Sequence, residues 1–142
     1  MSNEKVTIGS FEHVDLPDLH IFDTIAKVDT GAFSGAVHCS RIEVLDRDGE
    51  KILSFTPSNH KDITIETAEF TVGMVRSSTG HQVRRYRIQT TIRIQGKDYP
   101  ITIGLSDRSS MRYEILIGRR FLREYEMLVD VCKNQELDED GE

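Results

Sequence analysis

Apolar and polar residues alternate along most of this chain in short runs, the pattern of strands that bury one face. VTIGSFEHV (6–14) predicts a first strand. DLPDL (15–19) predicts a loop, because Pro17 has no N–H to give to a ladder. IFDTIAKVD (21–29) predicts a second strand ending on Asp29. AVHCSRIEVL (36–45) and KILSFTP (51–57) flank DRDGE, whose Asp48-Gly49 pair suits a tight hairpin. DITIETAEFTVGMV (62–75) reads as one long bent strand or as two. VRRYRIQTTIRI (83–94) and YPITIGLS (99–106) form the longest pair, turning at Gln95-Gly96-Lys97-Asp98. Helical spacing belongs to RRFLREYEML (119–128), which opens after Gly118 and sets Phe121, Leu122 and Tyr125 on one face. MLVDV then returns to strand. This order predicts an all-β fold, a closed or partly closed barrel with one short C-terminal helix.

At 142 residues the chain is long enough for one core and too short for two. We take residues 1–133 as a single domain. The ending ELDEDGE has little apolar surface to bury, so residues 134–142 are expected to form an acidic, disordered tail. No apolar run approaches a membrane span, and MSNEKVTIG lacks the basic-then-apolar order of an export signal. Cys39 and Cys132 are too few for a disulfide framework and suit a reducing compartment. A soluble cytoplasmic protein with no membrane partner is the expectation. The net charge of −6 argues against a nucleic-acid partner. Arg84, Arg85, Arg87 and Arg93 crowd one predicted strand, and alternation assigns them to a solvated face.

The candidate chemistry lies in AKVDTGAFSGAVH (26–38). Asp29 at a strand end, followed by Thr30, Gly31 and Ala32, has two readings: a turn residue that bonds its own backbone, or a catalytic carboxylate. Downstream, YEILIGRRFL runs an apolar triplet into Gly118-Arg119 and a helix. In this order, VDTGA, the 83–105 strand pair and ILIGRRFL resemble the single-domain aspartic proteases of the retropepsin type. LPDL, AKVDTGA, SSTGHQVRR and LSDRSSMRYEILIGRRFL also resemble a bacterial family named ATP-dependent zinc proteases, encoded beside RimK-type glutamate ligases. That likeness runs over nearly all of residues 7–131.

The resemblance implies a retropepsin-like closed β-barrel that acts as a homodimer. Peptide hydrolysis by this route needs a water held between two carboxylates, and the chain supplies one, so Asp29 of each subunit would have to meet across a two-fold axis. Thr30 would hydrogen-bond across the dyad, Gly31 would let the substrate backbone approach, and Ala32 would keep the loop apolar. Ser77, Ser78, Thr79 and Gly80 occupy the place of the flap that closes over substrate. Ile117, Gly118 and Arg119 would support the loop from below. Two departures stand out. Phe33 takes the place of an acidic residue that would pair with Arg119, which is therefore expected to find another partner, such as a carboxylate of the second subunit. The flap is polar rather than glycine-rich. Arg76, Arg84 and Arg108 point to an acidic or glutamate-rich peptide.

No HExxH motif or other clustered metal ligands occur, the five histidines being scattered, and no phosphate-binding glycine loop is present; the expectation is no metal and no cofactor. The sequence thus leaves two functions open: an aspartic-type endopeptidase using paired Asp29 residues, and a non-catalytic peptide- or protein-binding module on the same fold.

Overall fold

The computed structural model describes residues 4–76 and 79–140. Its strands are β1 (Thr7–Gly9), β2 (Phe11–Leu16), β3 (Ile21–Asp29), β4 (Gly35–Arg47), β5 (Glu50–Pro57), β6 (Ile65–Thr67), β7 (Thr71–Arg76), β8 (Gln82–Ile94), β9 (Lys97–Ser106), β10 (Ile115–Gly118) and β11 (Leu128–Asp130). One short helix, α1 (Arg119–Glu124), separates the last two strands.

Six strands close on themselves. β10 lies parallel to β3, β3 antiparallel to β2, β2 to β8 and β8 to β9; β9 then runs parallel to β4, which returns antiparallel to β10. The closed ring leaves these strands no free edge against one another. The far half of β4 leaves the ring to form a hairpin with β5, and β6 adds to that hairpin. Both tight turns use left-handed pairs, Asp48-Gly49 at φ 53° and 87° and Gln95-Gly96 at φ 52° and 77°, which match the twist of the strands they join.

The alternating residues fill the ring. Val14, Leu16, Val37, Leu53, Phe55, Ile92, Ile94, Ile103, Ile115 and Ile117 are all essentially inaccessible. Each such side chain contributes about 1.5–3 kcal/mol relative to exposure. Against this core α1 sets Phe121 and Leu122, and Tyr99, Phe121 and Tyr125 form a cluster of tilted and edge-on rings with centroids 5.0–5.8 Å apart. No helix among the described residues is long and apolar enough to cross a membrane.

Two expectations change in detail, and one open alternative is resolved. VTIGSFEHV is two strands, since the chain bends at Ser10 and β1 pairs in parallel with β11. The 62–75 segment is also two strands, β6 and β7, broken where Phe70 turns in against Tyr86. The expected tail is corrected over 134–140: Asn134 Nδ2 donates to Phe11 O (3.0 Å) and to Glu12 Oε2 (2.8 Å), and Gln135–Leu137 form a 3-10 turn. Tyr113 Oη donates to Leu137 O and accepts from Glu139 N, while Arg112 pairs with Glu139 and Asp140. What the segment lacks in apolar surface it makes up in polar contacts. Glu12, buried at 5% exposure, needs such donors, and it also accepts from Gly9 N.

Candidate active site

β3 ends on Asp29 beside β10, with Val28 level with Ile117 and Asp29 level with Gly118. The apolar ILIG strand is thus the wall that the loop leaves. Asp29 is half-buried. Its Oδ1 accepts from Gly31 N (2.9 Å), and Ala32 N donates to Asp29 O (3.2 Å). The turn reading of VDTGA is therefore realised in the backbone. It engages only one carboxylate oxygen, since no hydrogen bond to Oδ2 is made among the described residues.

The loop is seated on the start of α1. The first N–H groups of a helix have no acceptor within it. Here Arg119 N donates to Ala32 O and Arg120 N to Phe33 O, both at 2.9 Å. The Arg119 side chain donates through Nη1 to Gly31 O (2.9 Å) and lies over the Phe33 ring, 5.5 Å from its centroid. This answers the question of the Arg119 partner: it takes a carbonyl of its own loop and an aromatic face, so Phe33 replaces an ion pair with a cation–π contact. Gly118 is required for the fit, because a Cβ there would stand 2.6 Å from Phe33 O and 2.7 Å from Ser34 C. Ile117 beneath is fully buried. Thr30 is exposed and lines a shallow depression of about 470 Å³ with Arg119, Leu122 and Met127.

β7 and β8 pair from Thr71↔Arg87 to Arg76↔Gln82, the hairpin that the flap assignment requires. Ser77 and Ser78 lie outside the described residues. Thr79 and Gly80 follow at the turn, both exposed, with Gly80 at φ 85°.

The basic residues are arranged differently from the sequence reading. Arg76 and Arg84 are exposed. Arg85 and Arg87, assigned there to a solvated face, are half-buried instead. They share a face of the sheet with two glycines that make room for them. A Cβ on Gly104 would lie 2.9 Å from Arg85 Cδ, and one on Gly73 2.8 Å from Arg87 Cζ. Burial pulls the Arg85 guanidinium below its usual range, and the neighbouring Arg108 and Arg87 charges push the same way. Burial lowers Arg108 as well, with the charge of Asp29 working against it. Arg85 therefore lies within electrostatic reach of Arg108 and Arg87, and Arg108 within reach of Asp29, so the three cations form a group near the loop. The sequence held one signal for it, the glycines placed among strand residues opposite arginines.

Arg108 is positioned by a residue the sequence reading passed over. His38 is 2% exposed; its Nδ1 accepts from Arg108 N (2.9 Å) and its Nε2 stands 3.1 Å from Asn59 Oδ1. Because Nδ1 accepts, the neutral ring carries its proton on Nε2 and donates it to Asn59. Arg108 Nε donates to Tyr113 O (3.1 Å), which fixes the side chain too. Among the described residues no group of three or more His, Cys, Asp or Glu is placed to hold a metal ion.

A mostly-β ring with an Asp-Thr-Gly loop resting on a Gly-Arg helix start defines a retropepsin-like protein. More narrowly, the chain belongs to the RimB-like family: the model described as "Retropepsin-like aspartic endopeptidase RimB" matches residues 7–139. It is similar to proteins named "Probable alpha-L-glutamate ligase" from Shewanella pealeana (31% identical, all of this chain, 32% of the relative) and Desulfotalea psychrophila (32% identical, 81% of this chain, 26% of the relative). The chain thus spans about a third or less of the curated relatives it matches. These names agree with the association with glutamate ligases read from the sequence. The crystal structure of Lpg0085, a protein of unknown function (DUF785) from Legionella pneumophila, superposes with a TM-score of 0.71 at 26% identity, over 92% of this chain and 95% of that one.

Proposed function

We propose that the protein is a cytoplasmic homodimeric aspartic peptidase that hydrolyses acidic peptides through a water held between the Asp29 carboxylates of two subunits. The observation that carries this reading is the Asp29 loop itself, one carboxylate oxygen fixed by Gly31 N and the other open, on a base held by Arg119, Arg120 and Gly118. In the dimer two like charges in contact hold one proton between them, so one carboxylate is the base for water and the other the acid for the peptide carbonyl. Thr30 grips the partner's loop across the axis. The β7–β8 hairpin closes over the peptide, and Arg108 with Arg85 meets its acidic side chains.

A second reading has its own support. The relatives named as ligases carry a region like this chain within a much longer polypeptide, where recognition of a peptide rather than its cleavage would serve. Cleavage of acidic and neutral peptides by the wild type and by Asp29→Asn, with sedimentation at several concentrations, separates the two. The peptidase reading expects a dimer, cleavage favouring the acidic peptide, and complete loss in Asp29→Asn with binding retained. Cleavage that survives the substitution would overturn it, and a monomer that binds without cutting would establish the binding module.

A further inference from the structure

A cavity of about 440 Å³ lies between residues 87–90 of β8, the β5–β6 hairpin and the 3-10 turn at Pro17–Leu19. Neither the 29–33 loop nor Arg108 lines it. Its size falls in the range of pockets that hold small molecules. Leu19, Phe55 and Phe70 give it apolar walls. Two of its lining residues, Arg87 and Thr90, each carry a buried polar atom with no hydrogen-bond partner among the described residues, Arg87 Nε and Thr90 Oγ1.

Unpartnered buried donors are rare in native proteins, and each calls for an explanation. Arg87 is the more telling of the two. It forms no ion pair among the described residues, although 24 acidic side chains are available in the chain. The fold nevertheless gives up a side chain to seat it, because any Cβ on Gly73 would overlap its guanidinium. Asp18, Glu69 and Arg120 also line the cavity, but they are exposed and stand at its outside. The inner charge is the arginine. A planar, permanently charged guanidinium is matched by a carboxylate, and the adjoining apolar wall by a short aliphatic body.

We propose that this cavity is a second binding site, separate from the Asp29 loop, for a carboxylate carried on a short aliphatic chain, with the carboxylate on the Arg87 guanidinium. Such a group is found on the side chain of an acidic peptide and on a free small acid. The site uses no residue of the Asp29 loop, so it stands or falls independently of the peptidase reading.

The test follows the Arg87 Nε–H resonance in ¹H–¹⁵N spectra while N-acetylglutamate or N-acetylglutamine is titrated into the 142-residue chain. A saturable shift with the acid is expected, with a dissociation constant on the order of 1 mM. The neutral amide should bind at least about tenfold more weakly, a difference of ~1.4 kcal/mol. Arg87→Met should abolish binding. Gly73→Ala keeps the arginine but displaces it, so binding should weaken there even if Arg87→Met fails to fold. Repeating the titration on Asp29→Asn with an acidic peptide present identifies the source: displacement of N-acetylglutamate assigns the site to a peptide side chain, and undisturbed binding assigns it to a free acid. Equal binding of acid and amide, or no shift of the wild-type resonance, overturns the proposal.

Discussion

Gly118→Ala tests how the active-site loop is held. The added methyl would stand 2.6 Å from Phe33 O, 2.7 Å from Ser34 C and 2.9 Å from Phe33 C, all inside the 3.4 Å of ordinary contact. All three atoms are backbone, so no rotamer change relieves the clash. Either β10 backs away from the ring or the loop lifts off α1. Overpacking of this kind costs about 1–3 kcal/mol. Lifting the loop also stretches the bonds from Arg119 N and Arg120 N, each worth about 0.5–1.5 kcal/mol net. We therefore expect a total loss of about 2–6 kcal/mol, read from the denaturant midpoint at unchanged slope and fixed protein concentration.

On the peptidase reading, catalysis should suffer as well as stability. A displacement of the Asp29 loop by about 1 Å can cost on the order of 100-fold in rate. Gly49→Ala is the control. It sits at φ 87° with nothing within 4 Å of the new methyl, so its cost of roughly 1–2 kcal/mol comes from backbone conformation alone and should leave cleavage intact. If Gly118→Ala is as stable and as active as the wild type, the loop is not seated by this contact and the account of the site's base is wrong.

Two further outcomes follow from buried groups. Burial pushes the Cys39 thiol up to about 12 from an ordinary 9.0, so a thiol reagent should modify exposed Cys132 in the native protein and reach Cys39 only after denaturation. The folded state holds that proton more tightly, so the stability it contributes is full below about pH 9 and is lost as pH rises towards 12; a Cys39→Ala variant should lack this alkaline decline. At His38, Asn places an oxygen where Nδ1 accepts from Arg108 N, whereas Gln reaches towards Asn59 and leaves that N–H unpaired, at a cost of about 1–3 kcal/mol. His38→Asn should therefore keep the KM for an acidic peptide and His38→Gln should raise it, with KM for a neutral peptide unmoved in both. Equal effects on the two peptides would reduce His38 to a packing role.

The strands that carry the site were legible because each buries one face. The IFDTIAKVD pattern marks β3 to its final residue, and ILIGRR marks both the wall and the helix that supports the loop. Period-two alternation assigns residues to faces, but it does not say what a face looks onto. β8 shows the difference. Arg85, Arg87 and Arg93 occupy its polar face, which the pattern alone reads as open to water, yet the closed ring and the β7 hairpin cover part of that face. Long-range pairing makes that cover. β4 pairs with both β9 and β10, and neither pairing leaves a mark in the local sequence.

The buried direction of Arg85 and Arg87 was nevertheless encoded, in Gly73 and Gly104 rather than in the arginines. A glycine inside a strand gives up packing and β propensity, so it marks a place where something else must fit. His38 gives the same lesson with the opposite sign. A polar residue among the apolar neighbours Ala36, Val37 and Cys39 reads locally as a flaw in a buried strand. Its two partners, Asn59 and the Arg108 backbone, lie 21 and 70 positions away. In this fold the residues that break a strand's pattern mark where one segment has been shaped to receive another, and around Asp29 those exceptions build the site.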